Sequence, residues 1–515
     1  MPKRAYTHRF FENKGGLNTK SSPMAMNPGQ SPDLLNVVLS KTGAIKKRTG
    51  WNHYNSSAIG GGDKIQGLFR LRKKNGSNYM IAIEGGTIYE ESASGTFTTA
   101  RGTNFDASAY WMGAAYNDRL YLANGSDAIQ VYEGGANAID IGSHIDALIP
   151  ATWGSGYPSG LTVVLPDRGE RMAAWGSSTE PSVVWFSAIQ DALDWTTTGD
   201  AGAFNIYVLK DNGEPVTAVQ DFKDLTIIFK ETEMAIYAGD TAATMSLLQV
   251  FPVGCPAPRS IVKAGKNVYY WSQKGPTESR GVEEYGDIGP NHIGLLIEEE
   301  VRRGVNWSMI DQTVGFHDAE NDRVIWIAPA AGDYRNNKVF IWEYDISAWT
   351  VYDDIYGHST LVYDEVSDST RVLLGSYDGY INELDSSYND NAGAYTARYV
   401  TPWYDFGDYS RRDRVLEISF ACGKDGFDAD VYYQWDFEDD WTSIGNLADF
   451  VTGGTSLWGS VVWGAFNWGS GQTGTVMVHA PGSGNVFRLK LENVDADASF
   501  EVLGWSIMQA PRGRR

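Results

Sequence analysis

Short stretches of alternating apolar and polar residues recur along the middle of the chain and predict pairs of β-strands. Each stretch has an apolar run, a polar or glycine turn and a second apolar run, with the period of two that is typical of strands. The clearest examples are NYMIAIEGGTIYE from Asn78 and DRLYLANGSDAIQVYEGG from Asp118. Related stretches begin at Pro181, Asp224, Asn267, Asp322 and Thr370, and successive starts are separated by 40 to 63 residues.

Steps of this length suit the blades of a β-propeller, which occupy roughly 40–50 residues each. One repeat is too short to bury its own apolar face, and stacking the repeats around a ring buries all of them. We therefore expect an all-β fold in which residues 61–390 form a β-propeller-like repeat domain with six or seven blades. The alternative is a series of unrelated hairpins in two sandwiches.

The two ends of the chain lack the repeat pattern. Residues 1–60 are rich in turn residues and poor in strand pattern, so we expect an extended N-terminal arm. The polar stretch at 386–395 predicts a linker, and the apolar runs that follow it predict a C-terminal antiparallel β-sandwich over residues 396–515. Helical signal is scarce, but HIGLLIEEEVRRGVN from His292 has the apolar spacing and the acidic-then-basic order of one short helix.

Composition excludes several classes of protein. The chain has 515 residues, and 42% of them are hydrophobic, which is enough for a large core. Since no stretch of 18 uncharged apolar residues occurs, we expect no transmembrane helix. The N-terminus lacks the apolar region of a signal peptide, so we expect synthesis in the cytosol. Two cysteines, Cys255 and Cys422, are too few for a disulfide framework or a cysteine-based zinc site.

The charge is strongly acidic and uneven along the sequence. The net charge is −22, which argues against a general nucleic-acid binder because phosphate contacts need basic surface. The first 50 residues, however, carry a net charge of +7, so the rest of the chain carries −29. The sequence therefore predicts a basic arm in front of an acidic body.

Sequence patterns of catalysis are missing. The seven histidines show no metal-ligand spacing, and each is expected to be a surface or hydrogen-bonded polar residue. Neither a Gly-x-Ser-x-Gly elbow nor a phosphate-binding loop occurs. One acidic cluster, WDFEDDW, places carboxylates between two tryptophans, which would suit a sugar site. Four acids in five positions are nevertheless typical of a solvated hairpin tip. We therefore predict no catalytic residue, metal site or cofactor, and an acidic surface or lumen formed by Asp436, Glu438, Asp439 and Asp440.

Two stretches of the sequence resemble a known family. Residues 15–51 contain a double glycine, a Pro-Gly turn, an asparagine in a strand and then a G-x-x-x-x-R-x-G pattern, namely Gly15, Gly16, Pro28, Gly29, Asn36, Gly43, Arg48 and Gly50. This arrangement is similar to the start of bacteriophage tail nozzle proteins, also called tail tubular protein B. Residues 401–415 and the end of the chain from His479 resemble the C-terminal region of tail proteins from short-tailed phages, and the VVWFSAIQDALDW hairpin is similar too.

The resemblance implies a virion tail protein without enzymatic activity. Its members are propeller-containing subunits of a sixfold ring below the adaptor ring of the portal, and tail fibres or spikes are further partners. Genomic DNA passes through the lumen during ejection without specific binding, and an acidic wall would repel it and keep friction low. Our alternatives are a phage glycan depolymerase, which would depend on Asp436 or Glu438, and a receptor-binding protein at the tail tip.

Basic residues near both ends of the chain are our candidates for contacts with partners. Lys46, Lys47 and Arg48 belong to the arm and would bridge to an acidic neighbour or to the adaptor; a solvated basic turn is the alternative. Arg411, Arg412 and Arg414 open the C-terminal region, where guanidinium groups suit pairing with carboxylates across an interface. Ion pairs within the chain are the alternative for this second group.

Overall fold

The structure is a computed structural model that describes residues 5–165, 169–209, 213–281, 288–364, 370–385, 387–450 and 474–514. Strands make up 49% of it and helices 7%. The fold is therefore all-β, as the alternating pattern predicts.

The first part of the chain forms seven short strands. They are β1 (Tyr6–Phe10), β2 (Gly16–Leu17), β3 (Gln30–Ser31), β4 (Asp33–Leu35), β5 (Val37–Leu39), β6 (Ile45–Lys47) and β7 (Trp51–His53). Two pairs form within this part, the parallel pair β2–β3 and the antiparallel pair β5–β6, and strands β1, β4, β6 and β7 pair with strands that lie hundreds of residues later. We call residues 5–53 the N-terminal segment.

The repeats form seven four-stranded antiparallel sheets, numbered one to seven along the chain. Sheets one to three consist of β8 (Ile65–Arg72), β9 (Asn78–Glu84), β10 (Thr87–Glu90), β11 (Thr99–Gly102); β12 (Met112–Tyr116), β13 (Arg119–Ala123), β14 (Gln130–Tyr132), β15 (Ile139–Asp140); and β16 (Gly160–Val164), β17 (Arg171–Trp175), β18 (Val183–Phe186), β19 (Phe204–Tyr207).

Sheets four to six continue the same order, with each strand hydrogen-bonded to the next along the chain. They consist of β20 (Val216–Phe222), β21 (Leu225–Lys230), β22 (Met234–Ala238), β23 (Ser246–Phe251); β24 (Val262–Ala264), β25 (Asn267–Ser272), β26 (Gly275–Gly281), β27 (Ile288–His292); and β28 (Val314–Asp318), β29 (Arg323–Pro329), β30 (Asn336–Glu343), β31 (Ala348–Asp353). The second strand of a sheet is typically buried on both faces, as are all residues of β17 and β29, because neighbouring sheets cover it.

Sheet seven combines the two ends of the repeat region. Its strands are β32 (Ser359–Asp364), β33 (Thr370–Gly375), β34 (Ile381–Leu384) and then β7 from the N-terminal segment. In the antiparallel pair β34–β7, Asn382 lies opposite His53 and Glu383 lies opposite Asn52. The fourth strand of the last sheet is thus supplied by residues that precede the first sheet.

The first strands of the sheets are neighbours in space. Strand β8 contacts β12, β12 contacts β16, and β16 contacts β20; further on, β24 contacts β28, β28 contacts β32, and β32 contacts β8 again. A cavity of about 260 Å³ is lined mainly by these first strands and by the turn that enters β24. We call it the axial cavity.

In the described residues from 397 onward, the chain forms seven strands in two antiparallel sheets. They are β35 (Ala397–Val400), β36 (Arg411–Phe427), β37 (Asp430–Trp435), β38 (Thr442–Asn446), β39 (Gly474–Val478), β40 (Phe487–Asn493) and β41 (Phe500–Arg514). One sheet has the order β39-β36-β41-β6-β5, with β1 also beside β41, and the other has the order β38-β37-β40-β35-β4. Both sheets therefore include strands of the N-terminal segment.

One α-helix, α1 (Glu298–Gly304), lies between sheets five and six and follows a 3₁₀ turn at Ile293–Ile297. It confirms the predicted helix, with three glutamates in its first turn and two arginines in its last. Further 3₁₀ turns are Ile141–Ser143, Ala151–Gly154, Pro258–Ser260, Trp307–Gln312 and Leu447–Phe450. Within the described ranges, no helix has the length and apolar character needed to cross a membrane.

One apolar core joins the three parts of the chain. It includes Ile45 from the N-terminal segment, Trp326 and Trp349 from sheet six, and Phe487 and Trp505 from the C-terminal sheets. All five side chains are at most 2% exposed, so burial of apolar area holds these parts together. The predicted arm is thus docked on its own chain.

Arg48 is the polar centre of this docking. Its guanidinium donates two hydrogen bonds to the Asp390 carboxylate, at 2.8 and 2.6 Å, and its Nε donates to Oδ1 of Asn36 at 2.9 Å. The Tyr395 ring lies 3.8 Å from the guanidinium carbon, and the Tyr395 hydroxyl donates to the Arg48 carbonyl. Since the Arg48 side chain is 1% exposed, this bidentate pair fixes β6 and β7 to the predicted linker.

Two glycines permit close backbone contacts around the same segment. Gly50 lies so near the Asn389 carbonyl that an added Cβ would be 1.8 Å from its oxygen. Gly16 has φ = +65°, and a Cβ there would lie 2.7 Å from the Trp349 backbone. Any other residue at either position would push the N-terminal segment off the sheets.

We predict that Arg48→Ala lowers the free energy of unfolding by about 3–5 kcal/mol, because it leaves Asp390 as a half-buried carboxylate without its partner. Urea denaturation followed by tryptophan fluorescence measures this. Arg398→Ala is the matched control, since Arg398 pairs with Asp33 at 2.9 Å but the two side chains are 31% and 47% exposed; it should cost below about 1 kcal/mol. Equal losses in the two variants would contradict the role given to Arg48.

Candidate functional site

The basic residues of the N-terminal segment make contacts within the chain. The Lys46 ammonium lies 2.9 Å from the Glu501 carboxylate, and Lys47 donates to Oδ1 of Asn493 at 2.7 Å. Burial, followed by the charge of Arg48, lowers the pKa of Lys47 to about 8. Lys47 and Arg48 are 3% and 1% exposed, which corrects the hypothesis that their side chains reach a partner. Lys46 is half-buried and already paired.

Arg411, Arg412 and Arg414 differ in their surroundings. Arg411 pairs with the buried Asp413 at 3.0 Å, and the Arg412 guanidinium donates to the Ser483 carbonyl. Arg414 is exposed, and no partner for its side chain is present in the described part of the chain. The structure thus places two of the three in contacts within the chain and leaves Arg414 available to a partner.

The four acidic residues lie at the tip of the hairpin formed by β37 and β38. Asp436, Glu438, Asp439 and Asp440 are all exposed. The Asp436 carboxylate accepts a hydrogen bond from the backbone of Val486 at 3.2 Å, which ties the tip to the entry of β40. These residues therefore form an acidic surface at one end of a C-terminal sheet.

A cavity of about 570 Å³ lies between the N-terminal segment and sheets six and seven. Its walls include the Glu343 carboxyl and the Tyr352 hydroxyl, which are both 7% exposed. Oε1 of Glu343 and the hydroxyl oxygen have no hydrogen-bond partner among the described residues. Burial raises the pKa of Glu343 to about 7 against the opposing charge of Arg323, so this carboxyl changes its charge near neutral pH.

A second polar region lies at one end of the axial cavity. There, a neighbouring cavity of about 390 Å³ is lined by the loops that lead into the first strands, and Pro258, Arg259 and Met112 line both cavities. Arg259 donates to the His358 carbonyl at 2.6 Å and to the Gln312 carbonyl at 3.1 Å. Its guanidinium thus joins the entries of sheets six and seven. We call Lys64, Tyr110, Arg259 and His358 the axial cluster.

Two cations of the axial cluster share one aromatic ring. The guanidinium carbon of Arg259 lies 4.0 Å from the centre of the Tyr110 ring, and the Lys64 ammonium lies 5.2 Å from it. Lys64 also donates to the Ser108 carbonyl at 3.0 Å. Burial, followed by the charge of Arg259, lowers the pKa of Lys64, so the two cations repel each other at this site.

His358 is the buried member of the cluster. It is 1% exposed, its ring lies 5.0 Å from those of Tyr110 and Tyr377, and neither ring nitrogen has a partner in the described part of the chain. Burial, and then the charges of Arg259 and Lys64, lower the pKa of His358 to about 2. The expectation that this histidine is at the surface or hydrogen-bonded is therefore wrong.

No sequence motif identifies the residues of the axial cluster. Its four members are spread over residues 64–358, and they share only a position shortly before the first strand of a sheet. Because first strands adjoin one another, these entry residues meet at one end of the axial cavity. A search for polar residues just before each repeat would have found Lys64, Arg259 and His358.

Metal and thiol chemistry find no support in the described residues. Within these ranges, no group of three or more histidine, cysteine, aspartate or glutamate side chains is placed to hold a metal ion. Cys255 and Cys422 are buried free thiols, and burial raises the pKa of each to about 12. Both thiols are therefore protonated at neutral pH.

Comparison with known proteins adds no relative. No family model matches the chain, and no curated protein matches it.

We predict that His358 makes the protein less stable in acid. Its pKa is about 2 in the folded state against 6.5 when solvated, so only the unfolded chain takes up this proton between those values. The free energy of unfolding should fall by about 1.4 kcal/mol for each pH unit below 6.5 on this account. Urea denaturation at pH 7.5, 6 and 5 of wild type and His358→Gln isolates the effect as a difference that changes with pH.

The control is the same substitution at His479, whose side chain is exposed. A wild-type minus His358→Gln difference that stays constant from pH 7.5 to pH 5 would rule out a buried neutral His358.

Proposed function

We propose that the chain is a subunit of a bacteriophage tail nozzle, in which the seven sheets are the blades of a β-propeller and the C-terminal sheets form a sandwich. The subunit would belong to the tail of the virion and form a homohexameric ring below the adaptor ring of the portal. Tail fibres or spikes would attach to this ring, and genomic DNA would pass through its lumen without specific binding. The role is structural and needs no turnover or cofactor.

The observation that carries this proposal is the structural use of the residues behind the family resemblance. Asn36, with φ = 54°, accepts from Nε of Arg48 and donates to the Thr396 carbonyl at 2.8 Å. Gly16 and Gly50 allow the close contacts described above. The residues of the resemblance thus dock the N-terminal segment, and a motif that encodes docking is expected to mark proteins of the same architecture.

The propeller assignment rests on the neighbouring first strands. Strand β32 of sheet seven contacts β8 of sheet one, and the axial cavity collects residues from the first strands around it. Sheet seven is completed by β7, so the start of the chain fastens the end of the ring. Propellers of four-stranded blades are built around a central channel in this way.

Electrostatics fits a conduit for DNA. The net charge is −22, and much of the basic N-terminal segment is neutralised inside the fold by Glu501 and Asp390. A ring of such acidic subunits repels the DNA phosphates rather than binding them. The exposed hairpin tip with Asp436 and Glu438 adds to the acidic surface.

We predict that the purified protein adds to isolated portal–adaptor tail complexes as a ring of six 56.7 kDa chains, about 340 kDa in total, because tail rings assemble on a template. Mass photometry of the complexes, with and without the protein, followed by particle averaging, measures the added mass and the symmetry. A protein that ignores the tail complex would contradict the proposal, and turnover of a capsular polysaccharide would then favour the depolymerase alternative.

A charge reversal sharpens this experiment. Arg414→Glu changes the exposed arginine that has no partner in the described chain, and it should weaken ring addition if C-terminal arginines contact acidic neighbours. Lys74→Glu is the matched control, because Lys74 is equally exposed but lies in the turn between β8 and β9. If both variants add to the tail complex equally well, Arg414 does not belong to the interface.

A further inference from the structure

We propose that the axial cluster binds a small oxyanion of the phosphate or sulfate type, held by Arg259 at the junction of the two cavities and by Lys64, which lies over the same Tyr110 ring. This site is independent of the tail role, since all its residues belong to one subunit.

The two cations of the cluster form no ion pair within the described part of the chain. Neither Arg259 nor Lys64 has a carboxylate within 4.0 Å in the described part of the chain. Both cations lie over the same Tyr110 ring. Their positive charges, together with burial, lower the pKa of the neighbouring His358, so this histidine is neutral. Burial takes water from both cations, and the carboxylates of Asp63, Asp106 and Asp311 act on them only through space, so an anion in direct contact would stabilise them.

Arg259 and Lys64 have more N–H donors than the hydrogen bonds they make. A guanidinium has five N–H donors and an ammonium has three. Arg259 gives one donor each to the His358 and Gln312 carbonyls, and Lys64 gives one to the Ser108 carbonyl. The remaining donors match the oxygens of a tetrahedral anion, which arginine recognises with paired N–H groups.

The cavities around Arg259 leave room for an anion. Arg259 is half-buried and lines both the axial cavity of about 260 Å³ and the neighbouring cavity of about 390 Å³. An anion can therefore reach the guanidinium from the end of the ring without any change in the fold. The larger cavity also offers the hydroxyl of Ser159, which suits a hydrogen bond to a bound oxyanion or to the body that carries it.

Two carboxylates share the wall but do not take the place of the anion. Asp106 accepts hydrogen bonds from the backbone and the hydroxyl of Ser108, at 2.8 and 2.6 Å. Asp311 is exposed and lies beyond 4.0 Å from the guanidinium, although its charge is felt there. These acids border the entrance and favour a single compact anion over a polyanion such as DNA.

Isothermal titration calorimetry with inorganic phosphate and with sulfate, at constant ionic strength set by chloride, tests the site. Wild type should bind one anion per chain. Arg259→Gln should weaken binding at least tenfold, which corresponds to the loss of one charge-assisted contact, and Lys64→Gln should weaken it about fivefold. Glucose 6-phosphate is the third ligand: binding tighter than that of phosphate indicates a phosphate carried on a hydroxylated body, and equal binding indicates the free ion.

Arg398→Gln is the matched control, because Arg398 is an arginine at the protein surface already paired with Asp33; its phosphate affinity should equal that of wild type. If Arg259→Gln does not fold, as judged by its melting curve, the half-buried Lys64 gives the deciding variant. Absence of saturable phosphate and sulfate binding at 10 mM, on the order of the weakest specific sites, would overturn the proposal. Unchanged affinity in a folded Lys64→Gln and Arg259→Gln would overturn it as well.

Discussion

Everything in this fold depends on how the series of repeated sheets is closed. Sheets that stack side by side leave an open edge at each end, and the chain completes the last sheet with β7, a strand from its own start. The pair of Arg48 and Asp390 fixes that strand to the residues that follow sheet seven. Because the two side chains are only 1% and 11% exposed, loss of either would leave the other as a largely buried charge without its partner.

The same closure organises the C-terminal sheets. Strand β4 pairs with β35, and β6 pairs with both β5 and β41. One apolar core therefore joins the N-terminal segment, sheets five and six and the C-terminal sheets. The two ends of the sequence are therefore folded together, and unfolding of either should release the other. Such coupling would suit the tail role proposed above, in which a subunit must keep a fixed shape under mechanical load.

The contacts between neighbouring first strands also create a polar region. They bring entry residues of distant sheets to one end of the axial cavity, where Arg259, Lys64 and His358 meet around Tyr110. The protein thus contains a small cluster of basic side chains, although its net charge is −22. Local burial rather than overall charge decides what binds there.

The sequence by itself determined the strands and their repetition, because apolar alternation and turn residues act over a few positions; the hairpin from Asn78 and the helix near Glu298 were predictable in this way. Its resemblance to a known family also singled out Asn36, Arg48 and Gly50. Only the tertiary structure decided that Arg48 is buried against Asp390 and that Arg259 and His358 meet. Those contacts join residues about 340 and 100 positions apart, and no local pattern encodes which distant strands become neighbours when a ring of sheets closes.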